Sequence, residues 1–203
     1  MDIKERILSH TSTLFLQNGI KSVSMDDIAA NLGISKKTLY KWFANKDELV
    51  HAVVDTRMCE NQSQCIAVSA PAVDAIDEML RLSRWADEQF TGIHPSIFHD
   101  MRKFYPSAWQ LFKGHKNTFI LQRIEENLRR GVAEGLFRAD LDVDVLARYN
   151  LAHIDLVFDT ELFPASRFSP QRVNHVLDEH FLLGIVTLRG LQLLRQYRAN
   201  PSA

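Results

Sequence analysis

Lys36, Lys37, Lys41 and Lys46 follow one another with no acidic residue between them, and Thr38, Tyr40, Trp42 and Phe43 are interleaved with them. Ammonium groups pair with phosphate oxygens and donate to guanine O6 and N7, and a threonine methyl can touch the thymine methyl, so these residue types suit the DNA major groove. The formal charge of −1 removes bulk basicity as support for nucleic-acid binding, which leaves this local patch to carry it.

Other chemistry is harder to assemble. Cys59 and Cys65 stand six apart, about 240° around a helix, and cannot bridge without unwinding it. They read as reduced thiols, packed in the interior, of a cytoplasmic protein. His94 and His99 flank Pro95, and His175, Glu179 and His180 share one helix, but neither group has His-Glu-x-x-His or clustered-cysteine spacing. Metal and cofactor sites are therefore not expected. Nucleophile elbow, phosphate loop and dinucleotide fingerprint are all missing, so the residues make no case for an enzyme.

The elements that would position the lysines are legible from their caps. Ile3, Ile7, Leu8, Leu14 and Phe15 form a helical stripe over residues 2–18, closed by Gly19. Ser24-Met25-Asp26-Asp27 fits a capping box for a short second helix, about 25–31, that buries Ile28, Ala29 and Leu32. Gly33 can take the left-handed conformation that a sharp reversal requires, Ser35 caps a third helix to about Phe43, and Asn45 with Glu48 repeats the capping pattern for a fourth. At about 100° per residue from Lys36, Leu39 and Phe43 fall on a buried edge. Lys37, Tyr40, Lys41 and Thr38 then face outward. Lys46 and Ser24 sit at helix N-termini, where backbone N–H groups favour phosphate.

Beyond residues 67–72, where Pro71 marks a linker or a helix first turn, longer helices are expected at about 72–90, 95–104, 106–134, 143–162 and 170–197. The last two are apolar on more than one face and so need partners on more than one side. Phe158, Val173, Leu177, Phe181, Gly184 and Leu188 are the expected contacts of a four-helix interface in a homodimer. The first ten residues lack the apolar run of a signal peptide, and no stretch reaches the roughly 18 uncharged apolar residues of a membrane span, so no membrane partner is expected.

Residues 1–49 resemble the helix-turn-helix domain of the tetracycline-repressor (TetR) family of bacterial transcription regulators. The resemblance rests on Ser24, Ile28, Ala29, Leu32-Gly33-Ile34-Ser35, Thr38, Leu39-Tyr40, Trp42-Phe43, Lys46 and Leu49. It implies an all-α fold of about nine helices. A three-helix DNA-binding domain over 1–49 would join, through helix four at about 46–66, a larger helical effector-binding and dimerisation domain over 50–203. Carried over by position, the resemblance makes Tyr40, Trp42 and Lys46 phosphate contacts and Lys36, Lys37, Thr38 and Lys41 base or phosphate contacts, with Ser24 at the cap. Lys37 departs from the small residue common in the family and suggests an added guanine contact. The implied partners are a double-stranded operator and a small-molecule effector that releases a repressor from it. Trp85, Phe104, Trp109, Phe112, Asn150 and His153 are the candidates to line the effector site, as aromatic or polar groups on apolar helices. Two alternatives stay open: an activator or architectural factor without inducer, and a helical metal-dependent module with a vestigial reading head.

Overall fold

The computed structural model describes residues 2–199; residue 1 and residues 200–203, the outermost positions of the two expected domains, lie outside the described residues. The chain is all-helical, as expected, with a single isolated antiparallel bridge, Phe137 to Val186, among the described residues. In order the helices are α1 (Ile3–Asn18), α2 (Met25–Leu32), α3 (Lys36–Trp42), α4 (Lys46–Ser69), α5 (Ala75–Phe90), α6 (Ile97–Phe104), α7 (Pro106–His115), a π-helical turn (Lys116–Ile120), α8 (Leu121–Ala133), α9 (Val143–Val157), α10 (Pro170–Ile185) and α11 (Leu188–Ala199).

Helix α9 ends at Val157, short of the expected 162, and three further elements differ from the spacing-based expectation. Helix α5 begins at Ala75 and not in the Pro71 turn, because the Asp74 carboxylate accepts from the Ile76 and Asp77 N–H groups and caps the helix there. The long helix expected over 106–134 is interrupted by the π turn. The one expected over 170–197 breaks at Val186, which is extended, with φ −71° and ψ 148°. Arg138 N–H donates to the Ile185 carbonyl and Thr187 N–H to the Leu136 carbonyl, both at 2.9 Å, so the turn after α8 captures the backbone that would have continued the helix.

Two compact units emerge. The first comprises Met1–Gln62 with Gly92–His115, so α6 and α7 belong with α1 to α3 and the start of α4. Its buried residues include Ile7, Phe15, Ile28, Leu39, Phe43, Leu49, Ile97, Met101 and Tyr105. Each fully buried large side chain contributes about 1.5–3 kcal/mol, enough for several such residues to fix short helices that could not stand alone.

The second unit comprises Ser63–Thr91 with Lys116–Ala203. Ile76, Leu128, Phe137, Leu151, Phe181, Ile185 and Leu194 form its core. Gly131 is required there by close approach: a Cβ at this position would overlap the Phe137 ring. Beside the core, buried Glu78 accepts from Arg123, Asn127 and Arg130, so its charge is both paired and hydrogen-bonded. Cys65 is buried, and burial pushes its thiol up, whereas Cys59 is exposed rather than packed inside as expected. Among the described residues no helix is long and apolar enough to cross a membrane.

Candidate nucleic-acid interface

The lysine-bearing helix is fixed from both ends. At the start of α2 the Ser24 hydroxyl accepts from the Asp27 N–H at 3.1 Å and donates to the Asp27 carboxylate at 2.6 Å. The same carboxylate accepts from the Ser24 N–H at 2.8 Å, and these bonds from Ser24 hold the Asp27 carboxyl below its usual value. Gly33 then takes the left-handed conformation, φ 65° and ψ 30°, which a residue with a Cβ adopts only with strain. Its N–H and that of Ile34 donate back to Ala30 and Ala29, closing α2 as the chain reverses. Ser35 caps α3 by accepting from the Thr38 N–H. Arg6, which spacing gave no reason to single out, reaches from α1 to donate to the Leu32 carbonyl at 2.6 Å and braces the turn.

Helix α3 then divides by exposure. Leu39 and Phe43 are 0% and 2% exposed, the buried edge that helical spacing predicts. Lys37, Tyr40, Lys41 and Trp42 are exposed, so two ammonium groups, a phenol and an indole face solvent from one short helix. An open cleft of 530 Å³ beside Trp42 is lined by the polar groups of Lys4, Asn45, His51 and Ser107 and by the carboxylates of Asp47 and Glu48.

The other expected contacts are engaged within the chain. Lys36 forms an exposed ion pair with Asp26 on α2 at 2.6 Å, worth little in stability but enough to orient the side chain. The half-buried Thr38 hydroxyl lies 2.9 Å from that of Ser35. Lys46 turns inward: its ammonium donates to the Ile20 carbonyl at 2.6 Å and lies over the rings of Tyr105 and Phe15, at 5.5 and 5.9 Å from their centroids. Desolvation holds its pKa below the ordinary lysine value, against the upward pull of Asp100, Asp27 and Asp47.

The candidate effector residues fall into separate groups. Phe104, Trp109 and Phe112 lie in the first unit, Trp109 stacked on Phe112 and Phe104 beneath the Lys21 and Lys103 ammonium groups. Trp85, Asn150 and His153 lie in the second, where Trp85 donates to Gln64 and Asn150 is half-buried. His153 is 3% exposed and in ring contact with Tyr149 and Phe181, and neither of its ring nitrogens has a hydrogen-bond partner. Burial lowers its pKa, helped by the charge of His180.

Of the residues expected between two chains, Leu188 is 83% exposed and Gly184 is also open, with no atom within 4 Å of the point where a Cβ would stand. Phe158 and Leu177 are half-buried, whereas Val173 and Phe181 are buried within this chain. The exposed apolar residues on α9 and α10 are instead Val145, Tyr149, Val176 and Leu183.

The family profile described as "Bacterial regulatory proteins, tetR family" matches residues 7–53, from the middle of α1 into α4. An uncharacterized HTH-type transcriptional regulator of Bacillus subtilis, YvaF, is 29% identical over 52% of this chain, and the match spans about half of that relative, 55%. The HTH-type transcriptional repressor KstR2 of Mycolicibacterium smegmatis is 26% identical over 72% of this chain and 73% of its own. Among solved structures, SCO4454, a TetR-family transcriptional regulator from Streptomyces coelicolor, superposes with a TM-score of 0.70 at 21% identity, covering 89% of this chain and 92% of that one, a likeness of fold.

Proposed function

We propose that this chain, which belongs to the TetR family of bacterial regulatory proteins and is a DNA-binding transcriptional regulator, acts as a homodimeric repressor that a small-molecule effector releases from its operator. The carrying observation is the capped α2, left-handed Gly33 turn and capped α3 that hold Lys37, Tyr40, Lys41 and Trp42 outward together. In this reading α3 enters the major groove, Lys37 and Lys41 donate to guanine edges or phosphates, and Tyr40 and Trp42 bear on the sugar-phosphate backbone. Residues 1–49 are the reading head, and the remainder dimerises and senses.

A dimer is supported by the exposed apolar face of Val145, Tyr149, Val176 and Leu183, beside Gly184 and Leu188, on α9 and α10. Two copies joined there would present paired α3 helices, and operator half-sites would lie about 34–36 Å apart, one turn of DNA. For the effector, a buried imidazole lacking partners on both nitrogens supports a site near His153, since an unmade buried hydrogen bond is costly and a ligand can supply it. The effector would favour a conformer whose paired heads no longer match successive grooves, so effector and operator weaken each other by the same factor.

Selection of duplexes from a random pool by the full-length protein tests the reading. The expected product is a two-fold symmetric site, contacted in two adjacent major grooves. Recovery of random sequence with no enrichment would overturn it.

A further inference from the structure

The ion pair between Asp26 and Lys36 ties together the starts of the two helices of the reading head. Lys36 opens α3 and Asp26 stands in the first turn of α2, ten residues earlier, with the ammonium 2.6 Å from Oδ2. The two side chains are 57% and 64% exposed, so the pair is hydrated and does little to hold the fold. Capping of α2 falls to Ser24 and Asp27, which satisfy each other at the helix start. The bond to Lys36 engages one carboxylate oxygen of Asp26 and one N–H of the ammonium, which leaves Oδ1 to accept and two N–H groups to donate elsewhere.

Resting on the DNA-binding reading above, we propose that Asp26 is a specificity-determining residue: it accepts from the exocyclic amino group of a cytosine in the major groove, steadied by Lys36, which donates to the paired guanine. A helix-turn-helix presents the N-terminal residues of its second helix to base edges. Lys36 is the first residue of α3, so the carboxylate bound to it stands at the same edges. In the groove a carboxylate has few partners. Guanine and thymine present acceptors and repel it, and only the amino groups of cytosine and adenine donate. Lysine in turn favours guanine, whose O6 lies beside the cytosine N4 in a C·G pair. An acceptor and a donor held side by side therefore match the edge of that base pair.

The sign of the charge assigns Asp26 to a base and not to the backbone. The exposed lysines of α3 suit phosphate, whereas a carboxylate is repelled by it and lowers affinity for every duplex unless a base amino group offsets the loss. Lys36 at 2.6 Å reduces that repulsion and keeps the carboxylate at the groove. The result is a contact that discriminates between sequences without adding to the affinity for DNA in general. Sites with a keto group where the cytosine amino group should stand are opposed by an unpaired, desolvated carboxylate.

The test uses the full-length protein, a random duplex pool and titrations on single-base variants of the site that the wild type enriches. Stoichiometric titration gives the binding-competent fraction of each variant, which separates weaker binding from partial unfolding. The wild type should enrich a cytosine at one position of each half-site and bind roughly 10-fold more weakly when that C·G pair becomes T·A. Asp26→Ala should lose the preference at this position alone and keep the rest of the site. Asp26→Asn should move the preference there to adenine, because an amide donates to N7 while accepting from N6. An Asp26→Ala protein with the wild-type base preferences at every position would overturn the role, whether it binds all duplexes more tightly or all more weakly. So would relaxation at a position that holds a base other than cytosine. A wild type that enriches no duplex overturns the DNA-binding reading itself.

Discussion

In the proposed reading Lys37 is a residue that sets the choice of site: it is exposed on the outward side of α3, whereas neighbouring Lys36 pairs with Asp26. Lys37→Ala should cost about 1–3 kcal/mol on the preferred duplex and relax one operator position, measured by binding to a panel of single-base variants. A loss equal on every sequence would assign it to phosphate instead. A second residue with measurable consequences is His153, whose pKa is lowered mainly by burial. The unfolded chain therefore takes up this proton first, near pH 6.5, and the folded chain only at lower pH. Stability present at neutral pH should be lost progressively as pH falls below about 6.5, and His153→Leu should flatten that part of the melting temperature profile. His115 shifts in the same direction, so the informative quantity is the difference between the two profiles and not the wild-type curve alone. Identical pH profiles for both proteins would show that His153 is not buried in its neutral form.

At the scale of elements, what could be read in advance was whatever a few neighbouring residues decide. Ser24 with Asp27, Ser35 with Thr38 and Asn45 with Glu48 are short-range caps, and all three form as expected. The break at Val186 was hidden because the atoms that cause it belong to Leu136 and Arg138, far away in sequence. For the same reason the grouping of 92–115 with the reading helices, through Asp100 and Lys21, left no periodic trace. The inward turn of Lys46 was equally illegible, since its position at a helix start suits a phosphate as well as a carbonyl. The π turn is a further long-range feature: it buries Lys116, whose ammonium pairs with Asp155 on α9 at 2.5 Å. Asp155 is half exposed, so removing it by Asp155→Ala should cost about 1–2 kcal/mol, mostly from stranding the buried ammonium. Lys116→Met should be close to neutral in the same denaturant titration. Equal losses from the two variants would contradict that account of the turn.

For the whole molecule, the proposed function makes operator binding depend on self-association. Leu183 of α10 is exposed, and in the proposed dimer a carboxylate at this position would be forced into a dry interface with no partner. Leu183→Glu should sediment as a monomer and lose most of its operator affinity, since one reading head keeps only half the contacts; a dimer unaffected by the change would move the interface elsewhere. The formal charge of −1 gives the chain no general attraction for polyanions, so any strong DNA binding must come from the local face of α3 and its surroundings. The salt dependence of binding tests that most directly. A dimer making on the order of ten phosphate contacts should give a plot of log affinity against log salt with a slope near −9, for a symmetric duplex far more tightly held than random sequence. A slope close to zero, with no preference among duplexes, would contradict the assignment of this chain as a DNA-reading regulator.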